Sequence, residues 1–469
     1  MRLRSVFTTS AGILTSRIFG FVRDLLMASI LGANIFSDIF FVAFKLPNLF
    51  RRIFAEGAFV QSFMPTFIAS RHRSVFAVAI LIRFFLFLIA ASLLVTLFSE
   101  PVTRLIAIGF DQQTIDMAAP LVAINFYYLD LIFLVTFLSA LLQYREHFAT
   151  TAFGTTLLNI SMITALVLFR HEEPSYLVYA LSFAVLAGGV LQLLLHLWMI
   201  RKKGLDRLLV GGFVYMRRKK EVVKEDIDRF SRAFFPSVLG NSTAQISSFI
   251  DTWLASFLVS GSISYLFYAN RLFQLPLALF AIAASTALFP TISKLLKQEK
   301  IDKAKKETRK VFWLLFALLG GASAVAVILS EEIVKLLFER GAFTVNDTEN
   351  TSMVLVMYIA GLLPFGMAKL FSLWLYASHR QREAAGIAAR SLGVNILFSI
   401  LLIAPMAAPG LALASSISGW VLLWLTMKAV GRELVFDIMH AKYATYALVF
   451  IAGVTAITWT VKVMIDGYI

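Results

Sequence analysis

The sequence predicts an all-α, polytopic membrane protein: two parallel six-helix lobes related by a pseudo-twofold axis along the membrane normal, plus about one extra C-terminal transmembrane helix. Three observations carry that prediction. The 469 residues are 59% hydrophobic with a mean hydropathy of +0.80, whereas soluble domains are nearer 45–50% apolar. Apolar runs recur along the whole chain, about thirteen of them, each near the roughly 20 residues a helix needs to cross about 30 Å of hydrocarbon. The two halves also echo each other, "KLPNLF" at 45–50 against "QLPLAL" at 274–279 and "FMPTFI" at 63–68 against "LFPTIS" at 288–293, both pairs in the second helix of their half.

The spans fall at 5–31, 35–69, 75–98, 116–142, 151–169 and 175–200 for the N-lobe (1–200), and at 228–260, 263–292, 311–330, 349–377, 384–404 and 408–430 for the C-lobe (228–430). A long connector, 201–227, separates them, and 444–465 forms the extra helix of a C-terminal segment, 431–469. Six spans per half make the repeats parallel, with a substrate site expected between the lobes near the midplane. The segment 35–69 would be about 50 Å long as one straight helix, too long for the hydrocarbon, so Pro47 and Gly57 are expected to break it. The first span continues through Leu31 without a small-residue cleavage site and reads as a retained helix.

Basic residues lie in alternate connectors, at 71–73, 201–220, 294–310 and 379–382, while the others hold far fewer. That asymmetry predicts a cytoplasmic N-terminus and accounts for the net charge of +15 without nucleic acid. Cysteine is absent, which excludes disulfides, thiolate metal sites and a cysteine nucleophile. No GxxxxGK[ST] loop, HExxH pairing or acid cluster suited to a magnesium ion stands out, so neither an ATP-driven motor nor an enzyme is indicated.

The informative residues are charges inside spans, where a central Arg costs about 2.5–3.5 kcal/mol on insertion scales. "TSRIFGFVRDLL" at 15–26 carries Arg17, Arg23 and Asp24; on a helix, Asp24 and Ala28 each fall within about 20° of Arg17, and Arg23 lies roughly 120° round. The second helix adds Asp38, Lys45, Arg51, Arg52 and Glu56, and the eighth adds Arg271. Arginine holds phosphate oxygens through paired hydrogen bonds, so a basic cluster drawn from both lobes suits one bridging anion. Arg52 with Glu56 also reads as an i,i+4 ion pair on one helix, and Arg23 with Asp24 as a snorkelling pair near the membrane surface. Asp251, a lone acid in the seventh span, is a candidate proton or cation group, equally explained by a hydrogen bond to a neighbouring helix. Asn125, Asn159, Gln192 and Asn395 read as interhelical hydrogen-bonding residues.

"SRIFGFVRDLL", "FFVAFKLPNLFRRIFAEGAFVQSFMPTF" at 40–67 and "YANRLFQLP" at 268–276 together resemble the MurJ (MviN) lipid II flippase family, with weaker likeness to about residue 430. The resemblance implies the fold of the multidrug/oligosaccharidyl-lipid/polysaccharide exporter (MOP) superfamily. It also implies transport of undecaprenyl-pyrophosphate-linked disaccharide-pentapeptide from the cytoplasmic to the periplasmic leaflet of the bacterial inner membrane, by alternating access, for peptidoglycan synthesis. By motif match the family's pyrophosphate-binding arginines fall on Arg17, Arg23, Arg52 and Arg271, and its gate and structural charges on Asp38, Arg51 and Glu56. The implied partners are lipid II, membrane lipids and cell-wall synthesis proteins, with the monomer as the working unit. No cofactor is implied; Na+ or H+ coupling would involve Asp251. Two features depart from the family: Asn270 precedes Arg271 where many members have Asp, and one clear span follows residue 430 where members usually have two. A related exporter of drugs or of another polyprenyl-linked sugar, and a membrane scaffold, are the competing readings.

Overall fold

In a computed structural model, residues 3–53, 58–219, 221–440 and 443–468 are described, and all their regular structure is helical. The contacts divide the chain into two compact units, Met1–Phe257 and Leu258–Ile469. The first holds α1 (Leu3–Leu31), α2 (Ile35–Ile53), α3 (Phe59–Ala69), α4 (Arg73–Leu97), α5 (Ser99–Ile106), α6 (Gln112–Phe126), α7 (Tyr128–Tyr144), α8 (Ala149–Leu168), α9 (Pro174–Lys202), α10 (Asp206–Lys219) and α11 (Lys224–Ala255). The second holds α12 (Ser262–Pro276), a π-helical segment (Leu277–Ile282), α13 (Ala283–Lys297), α14 (Ile301–Ile328), α15 (Ser330–Phe338), α16 (Val345–Ile359), α17 (Leu362–Ala377), α18 (Gln381–Val430), α19 (Arg432–Met439) and α20 (Ala444–Tyr468).

The spans expected from the sequence fall on helices, 263–292 covering α12, the π-helical segment and α13, and 384–404 and 408–430 lying within the single α18. Among the described residues nine such segments are long and apolar enough on their own to cross a bilayer. Pro47 does not break the second span: α2 runs through it to Ile53, and Gly57, the other expected break, lies outside the described residues. The connector 201–227 is not plain coil. It contains α10, packed against α4 so closely that a Cβ at Gly212 would lie 2.3 Å from the Ser74 carbonyl oxygen.

The internal echo extends much further than two proline motifs. In each unit a long helix, α4 or α14, is followed by a short one opening on Ser-Glu, at Ser99-Glu100 and Ser330-Glu331. Next comes a capped helix: Asp111 accepts from the Thr114 backbone N–H, and Thr344 forms a capping box with Asp347. Both of these helices then break, at Tyr127 or at Ala360–Gly361, before continuing as α7 or α17. Inside hydrocarbon such a break requires substitute donors for the freed carbonyls. At the second break Ser416 Oγ donates to Met357 O (2.5 Å) and Trp420 Nε1 to Ala360 O (3.1 Å).

Phenylalanine supplies 44 residues, which suggests lipid contact, but many of these rings build an interior. Phe59, Phe63 and Phe67 repeat every four residues along α3, stack at 5.3 Å centroid spacing and are fully buried. Phe76 and Phe84 of α4, Phe133 and Phe137 of α7, and Phe230 and Phe234 of α11 complete the cluster. Edge-to-face and offset pairs of this kind add about 0.5–1.5 kcal/mol each beyond their burial. They hold α11 against α3 within the first unit.

α18 is a helical hairpin. Ala407, flanked by Pro405 and Pro409, has φ 50° and ψ −132°. The two arms then pack antiparallel, with Ser391 Oγ donating to Ser418 O (2.8 Å) and Asn395 Nδ2 to Ser415 Oγ (3.1 Å). A positive φ strains any residue with a Cβ, by about 1–3 kcal/mol at a non-glycine position. Ala407→Gly is therefore expected to raise the thermal unfolding midpoint of the detergent-purified chain despite the extra flexibility of glycine; a lower midpoint would contradict the strained turn.

In the α7–α8 connector, burial and the nearby Lys203 and Lys202 hold His147 below its ordinary value. Its neutral form is therefore the one the fold favours. The corresponding stability is present above the unfolded value of about 6.5 and is lost as pH falls through the depressed folded value. The unfolding midpoint should drop between about pH 7 and pH 5, and His147→Gln should shrink that drop.

Candidate functional site: charges inside the spans

α1 lies along α8 on a row of small and polar residues. A Cβ at Gly12 would come within 2.7 Å of Ala152 Cβ. Further along, Thr155 Oγ1 donates to Ser16 Oγ (2.8 Å) and Asn159 Nδ2 to Ser16 O (3.1 Å). Both series ascend together, so the two helices run parallel. The row ends at Arg23, whose Nη2 meets Asp24 Oδ1 at 2.6 Å while Nη1 donates to Asn159 Oδ1 at 3.0 Å. Arg23 is 8% exposed and Asp24 2%. The pair does not snorkel; it is enclosed and tied to a second helix.

Arg23 also marks a change in the surroundings of α1. Before it, Ile13, Leu14, Arg17, Ile18 and Val22 are exposed; after it, Met27, Ala28 and Leu31 are buried. The face shared by Arg17, Asp24 and Ala28 is therefore open at Arg17 and closed at Ala28. Asp38 on α2 is buried, and Arg51 donates through Nε and Nη2 to Asn48 Oδ1 at 3.3 and 3.2 Å. The Arg52 side chain and all of Glu56 lie outside the described residues.

In the second unit, Phe267, Asn270, Arg271 and Gln274 form a half-buried stripe on α12, whose other residues are buried as far as Phe273. The Arg271 guanidinium sits over the Phe267 ring, 4.8 Å from its centroid, a cation–π contact one helical turn apart. Gln274 donates to Asn270, whose amide stands where an acid would pair with the neighbouring arginine. Just beyond, Leu277–Ile282 is π-helical, a form that widens the helix and recurs at functional positions. The sequence reading missed this segment, whose local trace is Pro276.

It also missed Lys369. On α17, Phe365, Lys369, Ser372 and Tyr376 form the open stripe, with Lys369 itself exposed in the middle of an apolar helix. Tyr265 bonds Asp347 at 3.0 Å and Phe273 packs on Tyr358, so α12 runs parallel to α16 and to its continuation α17. Phe273 also meets the Phe365 ring at 6.1 Å. Counted from that contact, Lys369 stands about 9 Å further along the shared direction than Arg271. A lone lysine in "LLPFGMAKLFSLWLYA" was the signal available in the sequence.

The family model described as lipid II flippase MurJ matches residues 27–468. The chain belongs to the lipid II flippase MurJ family. A probable lipid II flippase MurJ of Helicobacter pylori (strain ATCC 700392 / 26695) is 49% identical over 92% of this chain and 95% of its own length. A Buchnera aphidicola relative of the same description is 33% identical over 92% and 84%. Among solved structures, a lipid II flippase MurJ in an inward closed conformation superposes with a TM-score of 0.79 at 23% identity, covering 97% of this chain and 98% of that one. An inward-facing MATE transporter of the MOP superfamily gives 0.72 at 11% identity, over 96% and 99%. At these identities the structures show a shared fold, that of a multi-pass membrane transporter.

Within this MurJ family member, three of the four amides read as interhelical hydrogen-bonding residues take that role: Asn159 joins α8 to α1, Asn125 Nδ2 donates to Ser182 Oγ across α6 and α9 at 2.8 Å, and Asn395 joins the arms of α18. Gln192 instead contributes its backbone carbonyl to His196 Nδ1 at 2.7 Å. Asp251 is half-buried on α11. Another buried acid, Asp130, receives the Ser92 hydroxyl at 2.8 Å just after the α6–α7 break. Among the described residues no three His, Cys, Asp or Glu side chains converge as a metal site.

The enclosed Arg23–Asp24 pair and the exposed Arg17 separate two kinds of charge. Arg23→Ala removes the guanidinium that pairs with the buried Asp24 and bonds Asn159, and breaking a buried pair costs about 3–5 kcal/mol. Its unfolding midpoint should fall by many degrees, whereas that of Arg17→Ala should stay near the parent's. Equal midpoints would mean that the α1–α8 network does not support the fold.

Proposed function

We infer that this chain flips lipid II from the cytoplasmic to the periplasmic leaflet of the bacterial inner membrane, by alternating access, with its N-terminus in the cytoplasm. The reading rests on family membership and on one structural observation: Arg17, an exposed cation partway along a membrane helix, whose buried neighbour Arg23 already has an acid of its own. An arginine kept wet inside the bilayer suits a transient polyanion, and the pyrophosphate of lipid II is one.

Arg17, Arg23, Arg52 and Arg271 are the arginines assigned to the pyrophosphate, and Arg23 also fixes α1 on α8. Asp38, Arg51 and Glu56 are gate and structural charges, and Asp251 is the group through which Na+ or H+ coupling would act. The chain makes and breaks no covalent bond in the substrate and so is not an enzyme. It works as a monomer, in contact with membrane lipids and cell-wall synthesis proteins.

In cells that depend on this chain, Arg17→Ala and Arg271→Ala should each stop the appearance of lipid II in the outer leaflet while inner-leaflet lipid II accumulates. Arg17→Lys should retain part of the activity, since it keeps the charge and loses the paired donors. Because the protein has no cysteine, a single Cys at Ile13, on the open part of α1, should also make transport sensitive to an impermeant thiol reagent. Normal exposure in both Ala variants would overturn the arginine assignment; normal exposure with the chain absent would overturn the flippase reading.

A further inference from the structure

At the start of α14 the second unit holds a cavity of about 310 Å³ lined by Asp302, Lys305, Lys306, Arg309, Asp437 and Tyr443. Its floor is a clamp: Lys305 Nζ meets Asp437 Oδ2 at 2.6 Å, and Arg309 Nε donates to the Asp437 backbone oxygen at 2.7 Å. The Lys305 ammonium holds the Asp437 carboxyl below the usual carboxylate range, so the clamp stays ionised at neutral pH. With Asp437 committed to Lys305, the cavity keeps Lys306 and Arg309 against the single carboxylate of Asp302. Among the described residues Lys306 enters no ion pair, and the two Nη groups of Arg309 make no hydrogen bond.

The depth of the cavity is marked by Trp313, one turn beyond Arg309, whose Nε1 donates to His440 O at 3.2 Å. Tryptophan in that setting belongs to the bilayer interface. Exposed apolar side chains follow on the same helices: Leu314 on α14 is 55% exposed, and Phe436 on the short amphipathic α19 is 72% exposed. A helix with a charged inner edge and an outward Phe lies in the interface. The combination of a basic cavity at headgroup depth with exposed apolar residues on the helices that form it matches an amphiphile with a phosphate head.

We propose that this cavity binds the phosphate headgroup of an anionic glycerophospholipid, with Lys306 and the Nη groups of Arg309 donating to the phosphate. The acyl chains run along the exposed apolar residues of α14. A zwitterionic lipid would bring its own ammonium towards Lys306 and Arg309 and be disfavoured, and a free phosphate would gain nothing from the exposed apolar residues of α14 and α19.

The test uses the full purified chain in detergent, with thermal unfolding read during titration by phosphatidylglycerol, phosphatidylcholine or inorganic phosphate. Phosphatidylglycerol should raise the midpoint by several degrees and phosphatidylcholine should not; Lys306→Glu should leave the lipid-free midpoint unchanged and abolish the shift. Native mass spectrometry should show one phosphatidylglycerol retained by the parent and lost from Lys306→Glu. Equal shifts with both lipids, or a full shift in Lys306→Glu, would overturn the site. The same shift from millimolar inorganic phosphate would overturn the lipid as its ligand and leave a simple anion site.

Discussion

A charge inside hydrocarbon must be paired, hydrogen-bonded or wet, and the charged residues within these helices divide along that line. Arg23 is paired and enclosed, with Asp24 on one side and Asn159 on the other. Asp130 takes a hydroxyl hydrogen bond from Ser92 in the interior. Arg17 and Lys369 are exposed on stripes of otherwise apolar helices, and Arg271 leans on an aromatic face. The enclosed group belongs to the architecture: without Arg23 the α1–α8 row loses its last contact. The wet group has no comparable structural role, since removing an exposed lysine or arginine leaves no buried partner behind.

The same constraint governs the backbone. Hydrocarbon offers no water to satisfy a freed carbonyl, so a break in a membrane helix calls for a side chain that replaces the lost donor or for a tight turn. The Ala360 break is met by Ser416 and Trp420, and the Ala407 turn is closed by hydrogen bonds between the arms of α18. Because the capped helix of each unit, α6 or α16, breaks at an equivalent place, at Tyr127 and at Ala360–Gly361, the breaks are part of the repeated plan and not local accidents.

Most of this plan was legible in the sequence, because hydropathy reports directly on what the bilayer selects. The span positions followed from apolar runs, and the special charges from their placement inside those runs. Less visible was which face of a helix is enclosed. Ala28 shares a face with Arg17, yet one is buried and the other open, because enclosure changes along the helix axis and angular arithmetic does not record depth. Phenylalanine was ambiguous for a related reason: lipid and protein interior are equally apolar, so composition cannot tell the buried ladder of Phe59, Phe63 and Phe67 from rings that meet lipid. Pro47 sits inside an intact α2, whereas the π-helical distortion follows Pro276 in the second unit, so the same motif has different backbone consequences in the two units. The Ser-Glu openings of α5 and α15 were present as letters, but a two-residue match means little until the helices around it are known to correspond.

The division between paired and wet cations bears on how a polyanion is carried and released. An arginine already bridged to an acid must give up that bridge before it can take a phosphate, and what it gains is only the difference between the two partners. A wet arginine exchanges water for phosphate instead, and returns to water when the substrate leaves. Binding is then strong enough to select a pyrophosphate by paired hydrogen bonds, and the empty state carries no uncompensated buried charge. Transport needs both conditions, because a carrier that holds its cargo far more tightly than it holds water does not turn over. Within the first unit, α1 supplies the two states on one helix: Arg17 remains in the open stretch, and six residues later Arg23 anchors the helix so that the open stretch keeps its place.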